Sequence, residues 1–255
     1  MASLAALQQT RNQSSALPHR RAMTVITVTA MAGEMKRKMT LTSDCIEARH
    51  RGSPPAEGRV IPRLSDAEVE ASLDTALSEA GDAGMWLFAY GSLLWRPDFP
   101  HNESRIARIF GYHRRFCLWQ WRWRGSDAAP NLMLALAPGG CCTGLAYRIE
   151  GPGLREKLGP VWRREMAGDG YRPRWLSAVT DAGPLRVAAF VANRRGERYA
   201  GRLPDDRVAA ILAWARGHGG TGAEYLLKTT LALEALGERD HMLWRMQHLV
   251  AEIMK

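Results

Sequence analysis

The chain has 255 residues, 46% hydrophobic and 24% charged, with a net charge of +9: the balance of a globular protein with one substantial core and room for a tail. No apolar run approaches the roughly 20 residues a helix needs to cross a bilayer, which argues against an integral membrane protein. Cys45, Cys117, Cys141 and Cys142 form no CxxC pair, so zinc-site spacing is absent and reduced thiols fit better than a disulfide framework.

The pI of about 9.8 suits nucleic acid, an anionic membrane or small acidic ligands, but it equally fits arginine used only as a solubilising residue. In the first 40 residues Glu34 is the one acid. This stretch has the composition of a transit peptide or a disordered tail, or of an over-extended start with Met23, Met31, Met35 or Met39 as the true first residue. It is read as an N-terminal extension over residues 1–62 with no fold assigned, ahead of a catalytic domain over 63–255.

Folded sequence is expected from Ser65, whose pairing with Glu68 makes a capping box. Val69, Leu73, Ala76, Leu77 and Ala80 follow at helical spacing, and Gly81 ends the helix. Met85–Tyr90 reads as a short buried strand, broken by Gly91-Ser92 before Leu93-Leu94-Trp95. Glycine lets a ligand approach the backbone, and successive free N–H groups can hold an anion or a developing oxyanion. Ser92 does not lie in a G-x-S-x-G elbow; as a bare motif, a structural turn explains the break more simply.

Next comes "RIFGYHRRFCLWQWRWR", whose second half alternates. Phe116, Leu118, Gln120 and Arg122 fall on one face, and Cys117, Trp119, Trp121 and Trp123 on the other. Interleaved Trp and Arg resemble a single-strand nucleic-acid platform, but three Trp on one face suit burial, and that reading is preferred. Leu132–Pro138 and Thr143–Ile149 read as two strands separated by Gly139-Gly140.

In "GPGLREKLGPVWRREM", Leu154, Leu158, Val161 and Trp162 mark an inward helical stripe whose next position is Glu165, with Arg163 and Arg164 pointing elsewhere. An inward carboxylate is desolvated, which raises its pKa and prepares a general base. A structural ion pair with a buried Arg explains the spacing equally, and Gly159-Pro160 threatens to shorten the helix.

Two further strands follow around a turn at 181–184. Three helices close the chain: one from Leu203-Pro204-Asp205-Asp206 to Arg216-Gly217, one capped by Thr221 and stopped by Gly237, and one capped by Asp240 and running to Met254. His241 and His248 lack a third ligand nearby, so no metal site is expected. The elements add up to an α+β domain with a mainly antiparallel sheet or barrel.

The blocks Phe88–Pro97 (FAYGSLLWRP), Trp162–Met166 (WRREM) and Ala223–Leu226 (AEYL), in that order and spacing, with "GYHRRFCLWQWRWRG", "LMLALAPGG", "GLAYRI" and "YRPRWL" between them, resemble the ChaC family of glutathione-specific γ-glutamylcyclotransferases, in its bacterial branch, from Met85 to about Val250. The resemblance implies a γ-glutamylcyclotransferase-like small mixed or antiparallel β-barrel with flanking helices. It implies cleavage of glutathione to 5-oxoproline and Cys-Gly without cofactor, metal or covalent intermediate. The reduced thiols place the enzyme in the cytoplasm, and no nucleic-acid or membrane partner is expected. The family's catalytic glutamate falls on Glu165. Tyr90, Gly91, Ser92 and Leu93 would cradle the γ-glutamyl group, and Tyr225 would lie in or near the pocket. Where relatives carry a polar stretch before Arg-Gly, this chain has Trp119–Arg124, which leaves the contacts to the Cys-Gly half open; Arg124 is the candidate. Other γ-glutamyl-amino acids or γ-glutamylamines are the alternative substrates.

Overall fold

Two long strands organise the molecule. In the computed structural model, which describes residues 38–255 except 53, 57, 61 and 62, β1 (Met85–Ala89) precedes β2 (Glu103–Gln120) and β3 (Asn131–Ile149). The last two pair antiparallel from Glu103↔Arg148 to Gln120↔Asn131. The two strands expected on either side of Gly139-Gly140 are therefore one. Gly139 and Gly140 adopt φ of 96° and 70° opposite Gly111 at 81°, and the register shifts there between Phe110 and Tyr112. Glycine-bearing positive-φ positions in a ladder make a bulge that bends the strands without ending them. The bend lets a single hairpin serve two walls of a barrel.

β4 (Tyr171–Thr180) and β5 (Gly183–Ala192) form a second hairpin. β1 pairs antiparallel with β3, β4 with β2, and parallel contacts at Leu87↔Ala188 and Leu136↔Val191 close the barrel in the order β1-β3-β2-β4-β5. The expected α+β barrel with flanking helices is present. Its parallel seam is an addition. Val187 to Ala192 are all buried, the continuous apolar run of a strand covered on both faces.

The helical signals place their elements well. α2 (Asp66–Ala80) begins at the Ser65 capping box and buries Val69, Leu73 and Ala76. α3 (Leu154–Glu165) continues through Pro160, which faces solvent, while Leu158, Val161 and Trp162 face inward. α4 (Asp205–Trp214) stops short of Arg216-Gly217, which pairs with Gly220-Thr221 as a small ribbon. α5 (Gly222–Ala235) and α6 (His241–Met254) carry the caps read from Thr221 and Asp240.

One element lies in the stretch to which no fold was assigned. α1 (Ser43–Arg49) is capped by Thr42 and buries Ile46, and Leu41 beside it is 1% exposed. Its anchor is far away in sequence: Gln247 on α6 accepts hydrogen bonds from the Thr40 and Leu41 amides at 3.1 and 3.0 Å. Local composition carries no trace of that contact. The readings placed on residues 1–37 lie outside the described residues. No helix among the described residues is long and apolar enough to cross a membrane.

Candidate active site

β1 ends at Ala89, and the chain turns at Gly91 into a single 3-10 turn over Ser92–Leu94. Three side-chain hydrogen bonds to other elements fasten this loop. Arg114 Nε donates to the Tyr90 carbonyl at 2.6 Å, Tyr147 Oη to the Leu93 carbonyl at 3.3 Å, and Trp95 Nε1, on the loop itself, to Thr229 Oγ1 of α5 at 3.1 Å. The first amides of such a turn have no partner within it.

Facing the loop across a narrow cleft are Leu134 of β3, Glu165 at the end of α3, Tyr171 at the start of β4, Phe190 of β5 and Tyr225 of α5, which line it together with Tyr90, Gly91, Ser92 and Leu93. Five separate regions of sequence, the loop included, thus converge at one end of the barrel.

The tyrosines are neutral and oriented. Tyr90 donates its hydroxyl to the Phe190 carbonyl at 2.6 Å and Tyr171 to the Leu134 carbonyl at 2.8 Å; burial holds both phenols well above their usual pKa. Tyr225 is likewise raised by burial, and its ring packs edge-on to Trp95 and Phe116. Its hydroxyl explains Gly91: a Cβ at that position would lie 2.8 Å from Tyr225 Oη. Crowding at this position demands the glycine.

Glu165 occupies the inward position its spacing assigned, with its side chain 14% exposed. Trp162, one turn earlier, is fully buried, donates to Ser72 Oγ at 3.1 Å and packs against Phe190 at 4.9 Å, which locks the end of α3 onto the barrel. Burial raises the Glu165 pKa, and the neighbouring cations Arg164 and Arg198 offset part of that rise. Arg164 does not point elsewhere. Its guanidinium bonds Glu165 at 3.2 Å, Asp98 at 3.1 Å and the Arg96 carbonyl at 3.4 Å, because the chain after the 3-10 turn passes beside the end of α3. The carboxylate is therefore both desolvated and ion-paired, although its partner is about one-third exposed.

The sequence model of the ChaC-like protein family matches residues 85–253. The chain belongs to the ChaC-like family. It is 37% identical over 172 residues to a glutathione-specific γ-glutamylcyclotransferase of Escherichia coli K12, covering 67% of this chain and 74% of that one. It is 33% identical over 158 residues to glutathione-specific γ-glutamylcyclotransferase 1 of Homo sapiens, covering 60% and 71%. Among solved structures it resembles a γ-glutamyl cyclotransferase specific to glutathione from yeast, with a TM-score of 0.61 at 21% identity over 66% of this chain and 96% of that one, which shows the shared fold.

Of the residues singled out in this ChaC-like chain, Glu165, Tyr90, Gly91, Ser92, Leu93 and Tyr225 come together in the cleft, and Arg124 does not. The Arg124 guanidinium is bound to Glu224 at 2.9 Å and to the Thr221 carbonyl at 3.1 Å, bracing the first turn of the helix that carries Tyr225. The Trp face does not form either. β2 stops at Gln120 and Trp123 adopts a φ of 67°, so strict alternation ends. Trp121 stacks under Arg59 at 4.7 Å and Trp123 lies half-exposed against His218 at 4.7 Å.

Leu134, Phe190 and Tyr171 were missed as cleft residues. Arg114, which braces the loop from outside the cleft, was not singled out either, although alternation along β2 places it on the inward face with Phe116 and Leu118. An arginine on an apolar strand face was the available signal.

Proposed function

We propose that this protein is a γ-glutamylcyclotransferase that cleaves glutathione to 5-oxoproline and Cys-Gly. The observation that carries the reading is the desolvated carboxylate of Glu165 sharing one cleft with the Tyr90–Leu93 loop. The substrate α-amine, with a pKa of about 8, arrives protonated at neutral pH. Glu165, its basicity raised by burial, takes that proton and frees the amine to attack the γ-carbonyl carbon. A new C–N bond closes the five-membered ring, and the bond to the cysteine nitrogen breaks. The proton held by Glu165 passes to that leaving nitrogen, and the ring nitrogen gives up its second proton, which ends on the freed Cys-Gly amine.

The loop amides hold the oxygen that gains charge in the tetrahedral intermediate, and the buried neutral tyrosines shape the site around the γ-glutamyl group. Holding amine and carbonyl in ring-closing geometry supplies much of the remaining acceleration. Ser92 acts as a hydrogen-bond donor, not as a nucleophile. The net charge of +9 favours an anionic substrate, and the four free cysteines suit the reducing cytoplasm where we place the reaction.

The test incubates the full-length protein with millimolar glutathione and follows both products by mass spectrometry. Stoichiometric 5-oxoproline and Cys-Gly are expected, with turnover lowered about 10²–10⁴-fold in Glu165→Gln. Full activity in that variant, with the fold intact, would remove Glu165 from the mechanism. One observation supports a second reading: the cation assigned to the Cys-Gly half, Arg124, is bound to Glu224 outside the cleft. Side-by-side turnover of γ-glutamyl-amino acids and γ-glutamylamines decides whether the leaving half is recognised.

A further inference from the structure

Arg114 is a charged side chain only 3% exposed inside the barrel wall. The β1–β3 ladder ends at Ala89↔Leu145. Just past it the guanidinium reaches one carbonyl on each of the parting strands: Nε donates to Tyr90 and Nη2 to Thr143, at 2.6 and 2.7 Å. Nη1 donates to Oδ2 of Asp240, whose Oδ1 accepts the Leu243 amide at 3.0 Å and caps α6. The strands are close here, since a Cβ on Gly144 would lie 2.1 Å from the Ala89 carbonyl oxygen. One rigid fork thus ties the end of β1, the middle of β3 and the start of α6.

We infer that Arg114, held by Asp240, is a positioning residue that fixes the Tyr90–Gly91 peptide and so aims the Gly91 amide. The peptide group is planar and trans, so its C=O and N–H point in opposite directions. Gripping the Tyr90 carbonyl from one side sets the direction of the Gly91 N–H on the other. Without that grip, the peptide next to an unsubstituted glycine is free to rotate. Lysine cannot replace the fork, because a point charge does not serve three acceptors in fixed directions. This role rests on the function proposed above, in which the loop amides hold the developing oxyanion. Arg114 acts through the loop and does not itself line the cleft.

Asp240→Asn is the informative variant, since asparagine caps a helix as well as aspartate while removing the charge that holds Arg114. Two quantities are read well below its melting temperature: amide hydrogen exchange of Gly91–Leu93, and kcat against KM for glutathione. We expect exchange at these amides to quicken about tenfold or more, and kcat to fall about tenfold with KM within about twofold, the pattern of an interaction made in the transition state. Ser65→Ala, destabilised at a remote cap, keeps the wild-type kcat and loop exchange. A lowered melting temperature with unchanged kcat and loop exchange in Asp240→Asn would overturn the inference. If the wild-type protein does not cleave glutathione, the proposed function falls, and loop exchange alone decides the positioning role. Should Asp240→Asn fail to fold, Asp240→Glu, which keeps the charge but displaces the fork, is read in the same way.

Discussion

Glu165, the proposed general base, also bears on stability. Burial raises its pKa in the folded protein above the ordinary 4.5, so the folded state binds this proton more tightly than the unfolded chain does. The stability associated with the group is full below about pH 4.5 and is lost as pH rises toward the folded value. Glu165→Gln should therefore melt at a higher temperature than the parent at pH 7, with the difference vanishing in acid, as thermal unfolding over a pH series will show. Arg164 opposes the shift. In Arg164→Gln the carboxylate loses its adjacent cation, and the acidic limb of the kcat/KM profile should move to higher pH; an unmoved limb would deny Arg164 that influence. Tyr171→Phe strands the buried Leu134 carbonyl and should cost about 1–3 kcal/mol in urea denaturation.

At the level of the loop and the helices, the close approach of Gly91 to Tyr225 is directly testable. Gly91→Ala brings a Cβ within 2.8 Å of the Tyr225 hydroxyl and should destabilise the protein. Tyr225→Phe removes the obstructing atom, so the double variant should recover part of the lost melting temperature; additive losses would place the clash elsewhere. The same elements show what was legible in sequence. Capping boxes at Ser65 and Thr221 are local chemistry, and both helices begin there. The stripe through Leu158, Val161 and Trp162 ends on Glu165 because helical period is local too. The pair Gly139-Gly140 misled because a turn and a bulge use the same positive-φ glycines, and only the partner strand distinguishes them. The fates of Trp121, Trp123 and Arg124 were hidden for a related reason. Their partners are Arg59, His218 and Glu224, each far along the chain and recruited only after folding.

Across the whole molecule, α1 is the element whose removal the sequence makes look harmless. A chain starting at residue 60 loses buried Leu41 and Ile46 and strips Gln247 of its partners, a loss of about 3–6 kcal/mol at ~1.5–3 per buried aliphatic side chain. It should melt roughly 10 °C below a chain starting at residue 36, and equal melting would show that the segment contributes nothing. The barrel seam has a kinetic consequence. The β2–β3 hairpin zips between neighbours in sequence, whereas closure joins Leu87 to Ala188 across about a hundred residues, and such distant pairings form slowly. The Tyr90–Phe190 bond spans that seam, so the cleft does not exist until the last strands meet. On refolding from urea, recovered turnover should trail recovered strand signal, which makes enzymatic activity a clock for ring closure in the protein itself.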